Sequence, residues 1–476
     1  MRKKLLLFLG LATITVGIHS VQAQENSPKV KVYNISTDLD SLFAGSAVYG
    51  VSANGEYAVG HGTDYSEMAF IWNQTDGTFQ QIKGSFGDVA CAYSVSNDGT
   101  VVGCFASDNN GEIKEGGLPY MVPGYWKDGV WTALPLACPI VQGKDGGLNG
   151  EARFISADGS VITGYINRPF ERNFYDDEGN LTETRKVNLL CPAVWIDGEL
   201  QRAFRNLPHG DDVQQGMWSM CPSSEDGTIM AGVYEHPTGS RAPVVWNNGE
   251  IRFLYGEKDI DIWVDEYFFE GFMAAVSPNG KYAGGYWQPE GVGGKMYAIL
   301  YDVEEDKVEQ LDGWGSVTAI LDDGTVFGTT GEMGSGLIRK HAYNGSLSGY
   351  LEVFCGNYSG GSLPGIIFGA STDGRVLGGW YPRAEGIGMM MAPSVLVIPE
   401  GADGVKKVEE TVRSVIMLDN EIIAPRSEKI ELYNAVGALV GSTTNDRIAV
   451  DGLKGIVIAK TYYENSKVQT KKFVVK

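Results

Sequence analysis

The sequence predicts an all-β protein: a seven-bladed β-propeller closed by an N-terminal strand, followed by a small C-terminal β-sandwich. Three observations predict it. A turn motif recurs seven times, each copy lies between runs that alternate apolar and polar residues, and one strand stands unpaired before the first copy while the last copy lacks one. Of the 476 residues, 43% are apolar and 11% aromatic, with 64 Gly and 18 Pro, which excludes a disordered chain, a collagen-like fibre and a coiled coil.

The repeated unit is an apolar run, then Ser-x-Asn/Asp-Gly, then an alternating run ending in Gly. It spans Tyr49 to Gly60, Tyr93 to Gly103, Phe154 to Gly164, Cys221 to Gly232, Ala275 to Gly284, Ala319 to Gly328 and Gly369 to Gly378. Asx-Gly between alternating runs is a hairpin turn, in which Gly takes the positive φ and Asx bonds its own backbone. The Ser before it (Ser52, Ser96, Ser156, Ser224, Ser277 and Ser371, with Leu321 in the sixth copy) reads as part of the same turn. A group present in seven copies is structural rather than catalytic. The turn glycines lie 44 to 68 residues apart, a spacing that fits propeller blades.

A second hairpin follows in each unit and carries an aromatic before its turn: Trp72, Trp126, Trp195, Trp246 and Tyr301. These rings read as wedges between neighbouring sheets. The seventh unit ends after its third strand, Ser394 to Ile398, and Val30 to Ile35 is the alternating strand that would complete it and cover the open edge.

Met1 to Lys4 is basic, Leu5 to Ile18 is apolar, and Val21-Gln22-Ala23 offers a small-residue cleavage site. Residues 1–23 therefore read as a secretory signal peptide, with no Cys placed for a lipid anchor and no later apolar run long enough for a transmembrane segment. The expected location is extracellular or the outer-membrane surface. The net charge is −21, and −24 once Arg2, Lys3 and Lys4 are removed, which excludes a nucleic-acid partner. Cys91, Cys104, Cys138, Cys191, Cys221 and Cys355 form no metal motif. Cys91 and Cys104 flank one hairpin, one residue out of register with each other.

The domain reading is signal peptide 1–23, propeller 24–400, linker 401–412 and sandwich 413–476. From Gly401 on, 12 Lys and Arg face 10 Asp and Glu.

Met68-Ala-Phe-Ile-Trp72 together with the repeated first half of each unit resembles the HAF family of extracellular repeats. That resemblance implies export and a propeller-like fold, and it transfers no catalytic residue. Leu432-Tyr-Asn-Ala-Val-Gly-Ala-Leu-Val440, Leu453-Lys-Gly-Ile-Val-Ile-Ala-Lys460 and Lys471-Lys-Phe-Val-Val-Lys476 resemble the C-terminal sorting domain of the type IX (Por) secretion pathway of Bacteroidetes, with Val457 where that family has Tyr. It implies the secretion machinery as a partner.

In a four-stranded meander the tight Asx-Gly turns share one face of the disk, so the long connections share the other. These include Ser107 to Met121, Ile166 to Leu190 and Tyr255 to Gly271. Long loops on a rigid scaffold carry binding, so this face is the candidate site. The second strand ends there in bulky residues, His61, Phe105, Tyr165, Tyr234, Tyr286, Trp287, Trp380 and Tyr381, which read as platforms for sugar rings. Charged partners from the loops are Arg168, Arg241, Asp265 and Glu266, with Asp176, Asp177, Arg172 and Arg383 as further candidates. The same aromatics also fit a role in packing loop against sheet.

No GxSxG, HExxH, P-loop or dinucleotide motif occurs, and none of the five His lies in a ligand motif. No catalytic residue, metal or cofactor is assigned. The expectation is a non-catalytic surface module for an extracellular glycan or protein. A carbohydrate-active glycosidase or lyase and a structural or adhesive surface protein are the alternatives.

Overall fold

Each Ser-x-Asx-Gly turn is closed by the same hydrogen bonds. Ser52 Oγ donates to Asn54 Oδ1 at 2.7 Å and accepts the Tyr57 N–H at 3.0 Å, while the Gly55 N–H reaches the Ser52 carbonyl at 2.8 Å. Ser96, Ser156, Ser224, Ser277 and Ser371 repeat the hydroxyl-to-Asx bond at 2.6–2.8 Å. Gly55, Gly99, Gly159, Gly227, Gly280, Gly324 and Gly374 all have positive φ, between 68° and 80°. Such a turn reverses the chain within two residues and sets two alternating runs side by side.

A computed structural model describes residues 30–34, 46–62, 68–84, 89–107, 120–137, 149–176, 179–203, 222–235, 241–255, 270–290, 294–330, 336–340, 343–355, 358–360, 362–385, 388–399, 415–418, 421–424, 427–463 and 467–475. Residues 1–23 and 401–412, read from sequence as signal peptide and linker, lie outside them. The fold is all-β and propeller-like, and no helix among the described residues is long and apolar enough to cross a membrane.

The described strands up to Val397 form seven antiparallel meanders in chain order. Sheet one is Ala47–Val51, Tyr57–His61, Ala69–Asn73 and Thr78–Ile82, and sheet two is Ala90–Val95, Val101–Ser107, Tyr120–Lys127 and Val130–Ala133. Sheet three is Gly150–Ile155, Val161–Tyr175, Leu181–Ile196 and Glu199–Ala203. Sheet four is Ile229–Glu235, Arg241–Asn247 and Glu250–Phe253, with Ser223 bridged to Met230 on its inner side. Sheet five is Glu270–Val276, Tyr282–Gln288, Tyr297–Asp302 and Lys307–Leu311, and sheet six is Ser316–Ile320, Val326–Thr329, Gly336–Lys340 and Tyr343–Ser346.

Sheet seven joins Ile366–Ala370, Val376–Glu385 and Gly388–Val397 to the N-terminal strand Val30–Asn34, which pairs antiparallel with the third of them, Val32 opposite Leu396. The N-terminal strand is not the outermost. Tyr358–Gly360 runs parallel along its far side, so the edge expected at residues 30–35 is itself covered. A short helix, Leu347–Tyr350, follows sheet six and buries Leu347 and Tyr350 beside Val30 and Val32.

Apolar clusters span every junction between successive sheets. Val59 of sheet one meets Ala90 and Val101 of sheet two, and Val102 meets Ala152 of sheet three. Val161 meets Met230, Val245 meets Met273, Leu300 meets Val317, and Phe327 meets Leu377. The seventh sheet then packs on the first through Val376, Val395, Val48 and Trp72. Trp72 and Trp195 are fully buried and Trp246 and Tyr301 nearly so, each in a cluster shared with a neighbouring sheet, whereas Trp126 is half-buried.

Two differences from the sequence reading bear on the site. Ile166 to Leu190, expected as a loop, is a continuation of the hairpin in sheet three, paired from Val161 with Ile196 out to Tyr175 with Leu181. Charged residues interrupt its apolar positions, with Arg168, Glu171 and Arg172 among Phe170 and Phe174, so no clean apolar run marks it in the sequence. Cys91 and Cys104 are direct partners across their hairpin and both are buried, because the register shift falls after them, between Ala92 and Ser94.

Beyond the seven sheets, Ile416–Leu418, Glu421–Ile423 and Arg447–Ala449 form one sheet, and Lys429–Asn434, Leu439–Thr443, Gly455–Tyr463 and Lys467–Val475 form another. Ile422, Ala424, Ile430, Leu432, Val457 and Phe473 share one core between them. Lys471 pairs with Asp226, the turn carboxylate of the fourth repeat, and ties this unit to sheet four.

Candidate functional site

In six of the seven sheets the inner strand carries an irregularity that the repeat itself produces. Register shifts fall between Val48 and Gly50, Ala92 and Ser94, Ala152 and Phe154, Met273 and Ala275, Val317 and Ala319, and Ile367 and Gly369. The extra residues are Tyr49, Tyr93, Arg153, Ala274, Thr318 and Phe368, each three positions before the turn Ser (or Leu321). A bulge re-aims one side chain out of the alternating pattern. All six line a cavity of about 190 Å³ on the common axis, to which every one of the seven sheets contributes. The fourth repeat has Cys221 at this position, outside the described residues.

In these six repeats the terminal glycine makes the bulge possible. Gly60, Gly103, Gly164, Gly285, Gly328 and Gly379 pair with the residue just before the bulged one. A Cβ on any of them would meet an inner-strand carbonyl oxygen at 1.7–2.1 Å. In the fifth and seventh repeats this glycine is the one after Gly284 and Gly378, where the sequence reading ended the unit.

At the end of the axis away from the turns, Arg153 lies over the Tyr93 ring, 3.7 Å from its centroid, and pairs with Glu151. Burial alone would discharge Arg153, but Glu151, Tyr93 and Tyr165 hold its charge. His61 stacks on Tyr49 and meets Tyr93 edge-on, with centroids 4.6 Å apart in both pairs. Its Nδ1 is 3.1 Å from the Ala92 carbonyl, which only accepts, so Nδ1 carries the hydrogen. Burial pushes the imidazole down to about 3, against the pull of that carbonyl and with help from Arg153, so it stays neutral. Burial raises both phenols, Tyr93 and Tyr165.

At the other end, the residues after the turn Ser link the sheets to one another. Asn54 N–H donates to Asn97 Oδ1 (2.8 Å), Asn97 N–H to the Ala157 carbonyl (2.9 Å), and Ala157 N–H to Glu225 Oε2 (2.6 Å). Glu225 N–H donates to the Pro278 carbonyl, Asn279 N–H to Asp322 Oδ1, and Thr372 N–H to the Ala53 carbonyl, which ties sheet seven to sheet one.

Burial pushes the Glu225 carboxyl up to about 8, with Asp158, Asp322 and Asp226 adding to the shift and the Ala157 N–H opposing it. The unfolded chain loses this proton near 4.5 and the folded one near 8, so between them the folded state binds more protons. Stability should therefore fall as pH rises from 5 to 8, by up to about 1.4 kcal/mol per unit from this group. Denaturant titrations at several pH values check this, and Glu225→Gln, which keeps an acceptor for Ala157, should flatten that limb.

The side chains nominated from sequence fall into three groups. His61, Phe105, Tyr165, Tyr234, Tyr286 and Trp380 are all 7% exposed or less. Phe105 stacks on Trp131 and Tyr234 meets Phe253 edge-on, while Trp287, half-buried, stacks on Tyr255 at 5.0 Å and Tyr381 is also half-buried. Arg241 pairs with Glu270 at 3.3 Å, and Tyr286 reaches the same carboxylate. Asp265, Glu266 and Asp177, and the side chains of Arg168, Arg172 and Arg383, lie outside the described residues, while Asp176 is exposed in the turn of the long hairpin.

The structure gathers His61 and Tyr165 at the Arg153 cluster. Sequence reasoning missed Tyr49, Tyr93, Arg153, Thr318 and Phe368. Their signal was variability: the position reads Tyr, Tyr, Arg, Cys, Ala, Thr and Phe across seven otherwise similar units. Among the described residues no group of three or more His, Cys, Asp or Glu side chains is placed to hold a metal ion.

No protein-family model and no curated protein matches the chain. Among solved structures it is similar to TolB from Acinetobacter baumannii (13% identity, 56% of this chain and 54% of that one, TM-score 0.33). It is also similar to the acylaminoacyl peptidase of Pyrococcus horikoshii (13%, 71% and 49%, TM-score 0.38). A third is oligogalacturonate lyase from Vibrio parahaemolyticus (12%, 80% and 100%, TM-score 0.40). The chain spans about half the length of the first two.

Proposed function

We propose that this protein is an exported, non-catalytic binding module, and that its ligand, a glycan or a protein, enters at the axis from the face opposite the Asx-Gly turns. The observation that carries this reading is the axial cavity, into which six bulges aim side chains that differ from repeat to repeat. Structural positions of the repeat are uniform, whereas these positions vary, as a recognition surface built on a uniform scaffold does. The only cation among the six, Arg153, is matched by Glu151, and His61 is neutral.

In this reading the seven sheets are the blades of one ring, closed where Val30–Asn34 pairs with Gly388–Val397. The pairing of Val32 with Leu396, the bond from Thr372 to Ala53 and the Val376–Trp72 cluster support the closure. The C-terminal unit is a sandwich that addresses the protein to its secretion machinery, supported by its terminal motifs and its separate core. Truncation after Glu400 should abolish surface display, and unchanged display would overturn that role.

The binding reading is tested by presenting residues 24–476 to glycan and peptide arrays, with product analysis on every hit. Binding without turnover, weakened about tenfold or more by Phe368→Ala, supports it. Turnover, or binding indifferent to Phe368, contradicts it.

A further inference from the structure

The six bulged residues are not spread evenly round the axis. Sheets seven, one, two and three contribute Phe368, Tyr49, Tyr93 and Arg153, all large, while sheets five and six contribute Ala274 and Thr318. The aromatic side is continuous: Tyr49 lies 5.5 Å from Phe368 and 6.2 Å from Tyr93, centroid to centroid. All three rings are half-buried, so they keep exposed surface, whereas Ala274 and Thr318 leave room opposite them.

Two buried polar atoms of this set have no hydrogen-bond partner, Arg153 Nε and Thr318 Oγ1. A buried polar atom without a partner is costly, and a ligand that satisfies it gains what the free protein forgoes.

We infer that the axial cavity takes, end-on, one neutral sugar ring, the terminal residue of a glycan, laid against Phe368, Tyr49 and Tyr93 with its hydroxylated rim toward Thr318 and Arg153. This rests on the reading of the axis as the ligand site, and it names the ligand class. A pyranose has one apolar C–H face and a rim of hydroxyls, which matches a one-sided aromatic wall with hydrogen-bonding groups beside it. The volume, about 190 Å³, is below the roughly 300–1,000 Å³ of drug-sized pockets and suits one ring.

Charge selects against acidic sugars. Glu151 already matches Arg153, and residues 24–400 carry a net charge of −26, so a uronate or sulfate meets a repulsive field with no spare cation among the described lining residues. Geometry selects the terminus. The cavity runs from the bulges to the inter-sheet bonds at the turns, where Ala53, Ala157, Glu225 and Pro278 line it. In the reading proposed above ligand enters from one face, and an internal sugar, with a neighbour on each side, cannot then be seated end-on.

The test uses residues 24–476 and an array of neutral oligosaccharides, each printed with its non-reducing end free and with that end blocked by a bulky acetal. Uronate-terminated and sulfated versions and a peptide array serve as comparisons. The expected result is binding to a free-ended neutral glycan, weakened at least tenfold by the block or by an acidic terminus and competed by the free monosaccharide. Ala274→Trp, which fills the open side, should abolish it. Thr318→Val, nearly isosteric and so a safeguard if the Trp variant fails to fold, should weaken it by about fivefold to tenfold.

Equal binding of blocked and free ends, preference for acidic glycans, or binding unaffected by Thr318→Val would overturn the end-on sugar site while leaving a glycan-binding module in place. Binding to peptides alone, still sensitive to Phe368→Ala, would overturn the sugar class and keep the axial site. Binding insensitive to Phe368→Ala would remove both.

Discussion

Deleting residues 24–36 should destabilise the protein by several kcal/mol and drive it to associate. Val30 is fully buried and Val32 nearly so, and each side chain contributes roughly 1.5–3 kcal/mol by leaving water. The deletion also takes Tyr33 from Trp72, 5.4 Å away, and strips both Gly388–Val397 and Tyr358–Gly360 of their partner strand. An uncovered strand edge is a template for pairing with another molecule. Removing the last twelve residues instead cuts into the C-terminal core and takes Lys471 from Asp226, so the main melting transition should move far less than with the N-terminal deletion. Scanning calorimetry with light scattering reads both. A deletion variant that melts like the intact chain and stays monomeric would contradict the closure.

Gly103→Ala should be among the most damaging single substitutions in the molecule, costing about 3 kcal/mol or more. Its new methyl group would sit 1.7 Å from the Cys91 carbonyl oxygen, so the inner strand must move and the bulge that aims Tyr93 at the axis must open. Gly62→Ala is the control: among the described residues no atom beyond its chain neighbours lies within 4 Å of its Cβ, and the cost should stay within about 0.5 kcal/mol. Denaturant midpoints compare the two. Equal midpoints would mean that the terminal glycines of the repeat do not hold the bulges.

What could be read from the sequence was local. The turns were legible because Ser, Asx and Gly act within five residues of one another, and the wedge role of Trp72 and Trp195 followed from their place relative to the second turn. The bulges were not legible, because a register shift is a property of two paired strands and no alternation within one strand reveals it. The outer strand Tyr358–Gly360 is three residues long and parallel to its partner, with no pattern of its own. The hairpin beyond Ile166 hid because charged residues interrupt both strands: Arg168, Glu171 and Arg172 stand among Phe170 and Phe174, and Glu183, Arg185 and Lys186 among Leu181 and Val187. The ends of the second strands were legible as aromatic, but not as covered. His61 lies beneath Tyr49 and Tyr93, and Phe105 beneath Trp131, so the residue that faces the axis is the one on the neighbouring strand.

Everything proposed for the axis depends on the ring being closed by the N-terminal strand, and hydrogen exchange of the native protein tests that most directly. The amides of Val30 to Asn34 should exchange as slowly as those of Ser394 to Val397, their partners, and both sets should open in the same cooperative unfolding event. Exchange of Val30 to Asn34 at the rate of an unstructured chain, while Ser394 to Val397 remain protected, would contradict the closure and the axial site that rests on it.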